Sequence, residues 1–283
     1  MRVHGDRDVP RWVELLGDLV LPEERRERYA RLAIQDAGHG YDVFGAHRQG
    51  AALADLVTGP MYERYFRVES LGHEHIPSTG PVVVAANHSG TLPFDAIMIY
   101  ADLLRRTDPP RLPRAVADTF VAALPWISVL FARGGAVAGA RRNVEYLLER
   151  GELVLIFPEG VPGISKPFHE RYKLQRWRGG HAELAIRYGA TVVPAALVGA
   201  EEQMPQIGRI PIPLFGAPFL PIPATPFPLP VRYHLRYGPP IRFDDPPETS
   251  DDPEVIRRAA ERVRDAVQDL LDEGLAARRG IFR

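Results

Sequence analysis

Cysteine is absent from this 283-residue chain. That excludes disulfides, a thiol nucleophile and thiolate metal ligation, and leaves the compartment unreadable from redox chemistry. Lysine is nearly absent: Lys166 and Lys173 are the only two among 35 basic residues. The positive charge is therefore almost all arginine, the side chain suited to bidentate phosphate contact. An excess of either sign is lacking too. With a net charge of −1, the surface as a whole attracts neither nucleic acid nor anionic lipid. What remains, 45% hydrophobic and 25% charged residues, is the composition of a folded domain. The length suffices for one large α/β domain with a substantial core, or for two small ones.

A membrane-spanning segment is also missing. Residues 1–10 are polar and charged, so no secretory leader is expected. Residues 119–132 are uncharged but only 14 long and interrupted by Pro125, too short to cross a bilayer. Residues 210–231 form 22 uncharged positions, long enough on length alone. They include prolines 211, 213, 218, 221, 223, 226, 228 and 230, which remove the donors a spanning helix requires. The segment reads as extended and apolar. Either it wraps the core, or its residues Phe215, Phe219, Leu220 and Phe227 meet acyl chains. The stripe Trp12, Leu15, Leu16 and Leu19 is a second lipid-facing candidate, unless it packs onto its own domain.

Two motifs carry the chemistry. They are Asn87-His88-Ser89-Gly90-Thr91-Leu92-Pro93-Phe94-Asp95 and Phe157-Pro158-Glu159-Gly160. Each follows an apolar run, 82–86 and 153–157, that reads as a buried strand, and strand ends are where an α/β sheet presents its chemistry. His88 leaving a strand is a natural general base, with Asp95 downstream as its orienting partner. If a helix opens at Pro93, Asp95 lies in its first turn and can face back to the imidazole. The carboxylate then fixes the tautomer, and the other ring nitrogen can take a proton from a hydroxyl. Ser89 and Gly90 offer a tight turn with little bulk. The plainer reading is a strand-capping histidine and an aspartate at a helix start. No Gly-x-Ser-x-Gly elbow exists in the chain, so the activated hydroxyl is expected to belong to the substrate.

Glu159 can accept hydrogen bonds from acceptor hydroxyls, with Gly160 permitting close backbone approach; alternatively the block only turns the chain. Arg141 suits a phosphate on acceptor or donor, or is a solvated residue beside Arg142. The loop cations Lys166, Arg171, Lys173, Arg176 and Arg178 interleave with Tyr172 and Trp177. Such interleaving also occurs in single-strand nucleic-acid sites, but the neutral charge balance favours a lipid- or CoA-phosphate surface or a merely solvated loop. His73 and His75 suggest a metal pair, yet spacing supplies no third ligand, and no metal site is expected.

Along the chain, the first 60 residues read as helical and partly amphipathic. Strands are expected at 65–71, 82–86, 115–117, 153–157, 191–198 and 231–237, and helices at 93–105, 120–132, 143–150 and 180–188. A final helix follows Asp252 and Pro253 as N-cap and first-turn proline, with Val255, Ile256, Ala259, Val263, Val267, Leu270 and Leu271 on one face. The expected organisation is a helical extension (1–60), one α/β catalytic domain (61–245) and a C-terminal helix packed on it (246–283).

The run Arg67-Val68-Glu69, Gly72-His73-Glu74-His75-Ile76-Pro77 and Gly80 through His88 resembles the opening of the glycerolipid and lysophospholipid acyltransferase family. So do Gly135-Ala136-Val137 with Arg141 and Asn143, the block 157–160, and Val192-Val193-Pro194-Ala195. Together they span about residues 62–245 in the order of the family's four blocks. The resemblance implies a single α/β domain with a mixed, mostly parallel sheet flanked by helices. It also implies acyl transfer from a thioester, acyl-CoA or acyl carrier protein, to a hydroxyl of a glycerolipid-type acceptor such as a lysophospholipid or lysophosphatidate. It assigns His88 as base, Asp95 as its partner, and Asn87, Ser89, Gly90, Arg141, Phe157, Pro158, Glu159, Gly160 and Lys173 as substrate-binding. Six residues separate His88 from Asp95 where the family usually has four. This spacing is nearer the mono- and diacylglycerol acyltransferase-like subgroup. A neutral glyceride or long-chain alcohol is thus the alternative acceptor, and a thioester hydrolase or an inactive lipid-binding protein the alternative function. No cofactor beyond the thioester co-substrate and no nucleic-acid partner are expected. The expected location is cytoplasmic, at the inner face of the cell membrane as a peripheral protein.

Overall fold

The computed structural model describes residues 22–89, 92–118, 126–164, 166–212 and 219–283. The strands are β1 (Glu69–Leu71), β2 (Val82–Ala86), β3 (Pro113–Ala117), β4 (Val137–Ala138), β5 (Leu153–Ile156), β6 (Thr191–Val198), β7 (Gln206–Ile210), β8 (Leu220–Pro223) and β9 (His234–Tyr237). The main helices are α1 (Glu23–Ala30), α2 (Arg48–Pro60), α3 (Phe94–Arg106), α4 (Ile127–Arg133), α5 (Arg141–Glu149), α6 (Val161–Ile164), α7 (Gly180–Tyr188), α8 (Ala200–Gln203) and α9 (Pro253–Ala277).

Seven strands make one sheet in the order β1-β9-β6-β2-β5-β3-β4. Neighbours run parallel except where β9 meets β6. The central strands are apolar throughout, and every residue of β2 and β6 is buried, as a sheet covered on both faces demands. Alternation sends successive side chains to opposite layers. Val83, Ala85, Val154 and Val192 pack under α5, α7 and α9 with Leu147, Leu184, Val263 and Leu271. Val82, Val84, Leu155 and Val193 pack against α3 through Met98, Ile99 and Leu103, joined by Phe66 and Tyr233. A buried carboxylate, Asp102, pins the α3 layer to the sheet's far side: it accepts from Tyr62 Oη, Tyr237 Oη (2.9 Å) and Ser70 Oγ (2.9 Å).

The helix α9 starts as expected, with Asp252 accepting from the amides of Glu254 and Val255 at 2.8 and 3.4 Å. Its buried residues are Ala259, Ala260, Val263, Val267, Leu271 and Gly274, while Leu270, expected inside, is half-buried. Other expectations need correction. Residues 65–68 are not strand: Met61–Tyr65 continues α2 as a wider helical turn, and β1 is only three residues long. The last strand starts at His234, not 231, because 228–233 follow a proline-rich run. Residues 210–231 hold more than a covering loop, since β8 pairs antiparallel with β7. Pro221 and Pro223 are tolerated in this two-stranded ribbon because each strand has an unpaired edge. Among the described residues no helix is long and apolar enough to cross a membrane. The expected helix at 120–132 is described only as α4. The stripe from Trp12 to Leu19, with Phe215, lies outside the described residues.

Leu271 is fully buried between α9 and the sheet. Leu271→Ala is expected to destabilise the protein by about 2–5 kcal/mol in urea unfolding; a change under about 0.5 kcal/mol would show that α9 does not seal that face.

Candidate active site

The strand β2 ends at Ala86, and Asn87 closes the ladder by donating to Leu197 O (3.1 Å) and accepting from Leu197 N (2.8 Å). Asn87 is thereby a buried strap between β2 and β6 rather than a group facing substrate. His88 follows, with its side chain 17% exposed. Its Nδ1 lies 2.7 Å from Asp95 Oδ2, which also accepts from Ser89 N at 2.7 Å, while Oδ1 accepts from Ala96 N. Asp95 itself is fully buried in the first turn of α3, where the helix's positive end favours a carboxylate. The six intervening residues therefore still bring imidazole and carboxylate together. Ser89 is buried, and Gly90 lies outside the described residues. With Nδ1 committed, Nε2 is the nitrogen left to exchange a proton.

The second motif supports the first from below. The Phe157 ring stacks on the imidazole, centroids 4.4 Å apart and planes 29° apart. Gly160 turns the chain at φ +57°, a conformation glycine adopts without penalty, and buried Pro158 accepts from Arg178 N at 3.1 Å. Glu159 is fully buried: Oε1 accepts from His88 N at 3.0 Å and Oε2 from Gln175 N at 2.7 Å. Both oxygens are used by the protein's own backbone. Glu159, expected to meet acceptor hydroxyls, here fixes the backbone of His88 and of Gln175.

Two features were not legible. Lys166, expected among solvated loop cations, is buried, with Nζ 3.6 Å from Glu159 Oε2 and 3.0 Å from Glu201 Oε1. Glu201, which also accepts from Tyr172 N, follows no motif; burial pushes its carboxyl up to about 7, with Lys166 pulling the other way. Gly163 in α6 closes over the site: a Cβ there would sit 2.9 Å from His88 Cβ, His88 O and Glu159 Cβ. Only the chance pairing of a lone lysine with neighbouring acids could have hinted at the first.

Arg141 starts α5, exposed, and its guanidinium is held by Glu145 (2.8 Å) and Glu183. The structure thus gives it protein carboxylates as partners. Lys173 is exposed on the loop and offers its carbonyl to Lys166 at 3.4 Å. His75 Nδ1 lies 3.0 Å from Tyr237 O, and among the described residues no three His, Cys, Asp or Glu side chains group as metal ligands.

The sequence profile of the family described as Acyltransferase matches residues 67–198. An uncharacterized protein of Mycobacterium tuberculosis is 36% identical over 86% of this chain and 72% of its own length. One of Mycobacterium leprae is 36% identical over 78% of this chain, which spans 64% of that protein's length. A human protein named as a DGAT1/2-independent enzyme synthesizing storage lipids is 31% identical over 87% of this chain and 72% of its own length. In shape the chain is similar to the 1-acyl-sn-glycerophosphate acyltransferase PlsC of Thermotoga maritima, at TM-score 0.60 over 95% of this chain and 89% of that one. The identity there is 16%.

Unfolding returns Glu201 to the ordinary carboxylate range near 4.5. Because the folded-state value is the higher one, the folded chain holds more protons between about pH 4.5 and 7. The associated stability is full below that window and lost as pH rises through it. Glu201→Gln cannot ionise. Urea unfolding at stepped pH is expected to show wild-type stability falling relative to Glu201→Gln across this window; a constant difference would contradict the burial argument.

Proposed function

The chain belongs to the acyltransferase family, and we propose that it moves a fatty acyl group from a thioester, acyl-CoA or acyl carrier protein, to the hydroxyl of a glycerolipid-type acceptor. The observation that carries this reading is the 2.7 Å contact of His88 Nδ1 with buried Asp95. Nε2 takes the acceptor's proton as its oxygen attacks the thioester carbonyl carbon. The tetrahedral species collapses with cleavage of the carbon–sulfur bond, and the imidazolium returns the proton to the leaving sulfur. Asp95 holds the tautomer and balances the imidazolium's charge. Glu159, Lys166 and Gly163 act through the backbone of His88 as positioning residues.

Between acceptors, two observations favour a neutral glyceride as the second reading over a phosphorylated one. Arg141, the expected phosphate ligand, is already held by Glu145 and Glu183. The human relative is named for storage lipids. A lipid acceptor also implies work at a membrane surface without crossing it. Supporting this, α4 has no buried residue and exposes Ile127, Val129 and Leu130, with Trp126 beside it 86% exposed. The β7–β8 ribbon exposes Ile207, Ile210, Leu220 and Ile222.

The test is thiol release from long-chain acyl-CoA across lysophosphatidate, other lysophospholipids, mono- and diacylglycerol and a long-chain alcohol. Acceptor-dependent release is expected, falling by about 10²–10⁴ in His88→Ala and strongly in Asp95→Asn. Release indifferent to acceptor would make the protein a thioesterase, and full activity in His88→Ala would end the general-base reading.

A further inference from the structure

Beside β1 and β9 lies a second concave site of about 320 Å³, lined by Glu69, Arg232, His234, Arg236, Arg279 and Arg283 among others. Neither His88 nor any other residue of the 87–95 and 157–160 motifs lines it. Four arginines and a histidine face one carboxylate, in a chain whose net charge is only −1. Glu69 is shared, 3.6 Å from Arg232 and 3.4 Å from His234, and Glu273 lies 3.7 Å from Arg236. Among the described residues no acidic side chain pairs with Arg279 or Arg283. Buried nitrogens are also left over: Nε of Arg232, Nε of Arg236 and Nε2 of His234 have no hydrogen-bond partner. A buried N–H donor without an acceptor is costly, and the two arginine Nε–H groups beside this concavity favour an acceptor-rich ligand.

The site is built, not a loose tail. Arg232 N donates to Ile281 O at 3.0 Å and Arg67 Nη2 to Phe282 O at 3.2 Å, fastening the segment after α9 to the sheet. Arg278 donates to both oxygens of buried Glu202, at 2.5 and 2.9 Å. These bonds hold Arg279 and Arg283 beside β9. In the same pairing, His234 lies opposite Val198 at the end of β6, the sheet edge from which His88 also emerges. The imidazole of His234 is pushed down by burial and by Arg232, Arg278 and Arg236, with Glu69 opposing; the local field is cationic.

From this convergence of arginines on a concavity with unpartnered donors, we propose that the Arg232–His234–Arg236–Arg279–Arg283 site binds a phosphate-bearing anion. Arginine forks match phosphate oxygens bidentately, and the volume admits more than one phosphate with its attached group. Two sources present this chemistry, the nucleotide end of CoA and the headgroup of an anionic lipid.

The experiment measures equilibrium binding of pyrophosphate, CoA and dephospho-CoA by calorimetry, and of phosphatidylcholine vesicles with and without phosphatidylglycerol by flotation. Wild type and the double variant Arg279→Ala/Arg283→Ala are compared, using the full chain. Both side chains are exposed, so an unchanged thermal midpoint is expected to accompany the binding change. Pyrophosphate binding is expected to weaken by about tenfold or more in the variant, the loss of charge-assisted bonds, and to weaken with added salt. A parallel loss for CoA larger than for dephospho-CoA identifies the nucleotide as source; loss confined to phosphatidylglycerol vesicles identifies the headgroup. Equal binding by variant and wild type, or no binding of any phosphate probe by wild type, overturns the proposal. Because the readout is binding, its failure and failure of the transfer reading remain separate results.

Discussion

The buried carboxylate of Glu159 is the constraint on which the candidate site depends. It joins the backbone amide of His88, 71 residues earlier, to that of Gln175, 16 residues later. A charge without solvent must be satisfied or neutralised. Two amides and the Lys166 ammonium do this, and Lys166 in turn requires Glu201. The network fixes the loop leaving β2, so that Asp95 and Phe157 determine how the imidazole lies. Glu201 is followed by Glu202, which clasps Arg278. Buried ion pairs, linked through the adjacent Glu201 and Glu202, therefore run from the loop that holds His88 to the segment after α9, across the sheet edge where β2 and β6 end and β9 begins.

Much of the fold was legible because its signals are local. The strand Thr191–Val198 and the helix Gly180–Tyr188 with its Gly189 stop occur where the residues indicate, and the Asp252 cap opens α9. Each rests on a short pattern of apolar spacing or cap chemistry. The ribbon β7–β8 was not legible, since proline reads against strand and only the pairing of two edge strands permits it here. The boundary of β1 was lost for a similar reason. Tyr65 and Phe66 look like the start of a strand, but Tyr65 ends a helical turn and Phe66 caps it, with the Phe66 ring stacked on Tyr233.

At the site, the sequence motifs named His88 and Asp95, which the structure brings to 2.7 Å, but not the backbone contacts of their neighbours. Asn87 and Glu159 are polar and beside His88, so they read as substrate ligands. Their partners, Leu197 and Gln175, are backbone groups that no motif announces. Lys166 read as one of a cluster of loop cations, phosphate-facing or solvated, because Glu201, 35 residues on, is announced by no motif. Gly163 matters through what a Cβ would strike, which only packing reveals. Local chemistry was readable; the second layer that holds it belongs to tertiary structure.

The account turns on His88 activating the acceptor's own hydroxyl, with no acyl group resting on the protein. Intact-protein mass spectrometry after mixing with long-chain acyl-CoA, with acceptor withheld, tests this most directly. The account predicts an unmodified protein mass and little thiol until acceptor is added. An acyl adduct that forms without acceptor and is discharged when acceptor arrives, for example on buried Ser89, would contradict it.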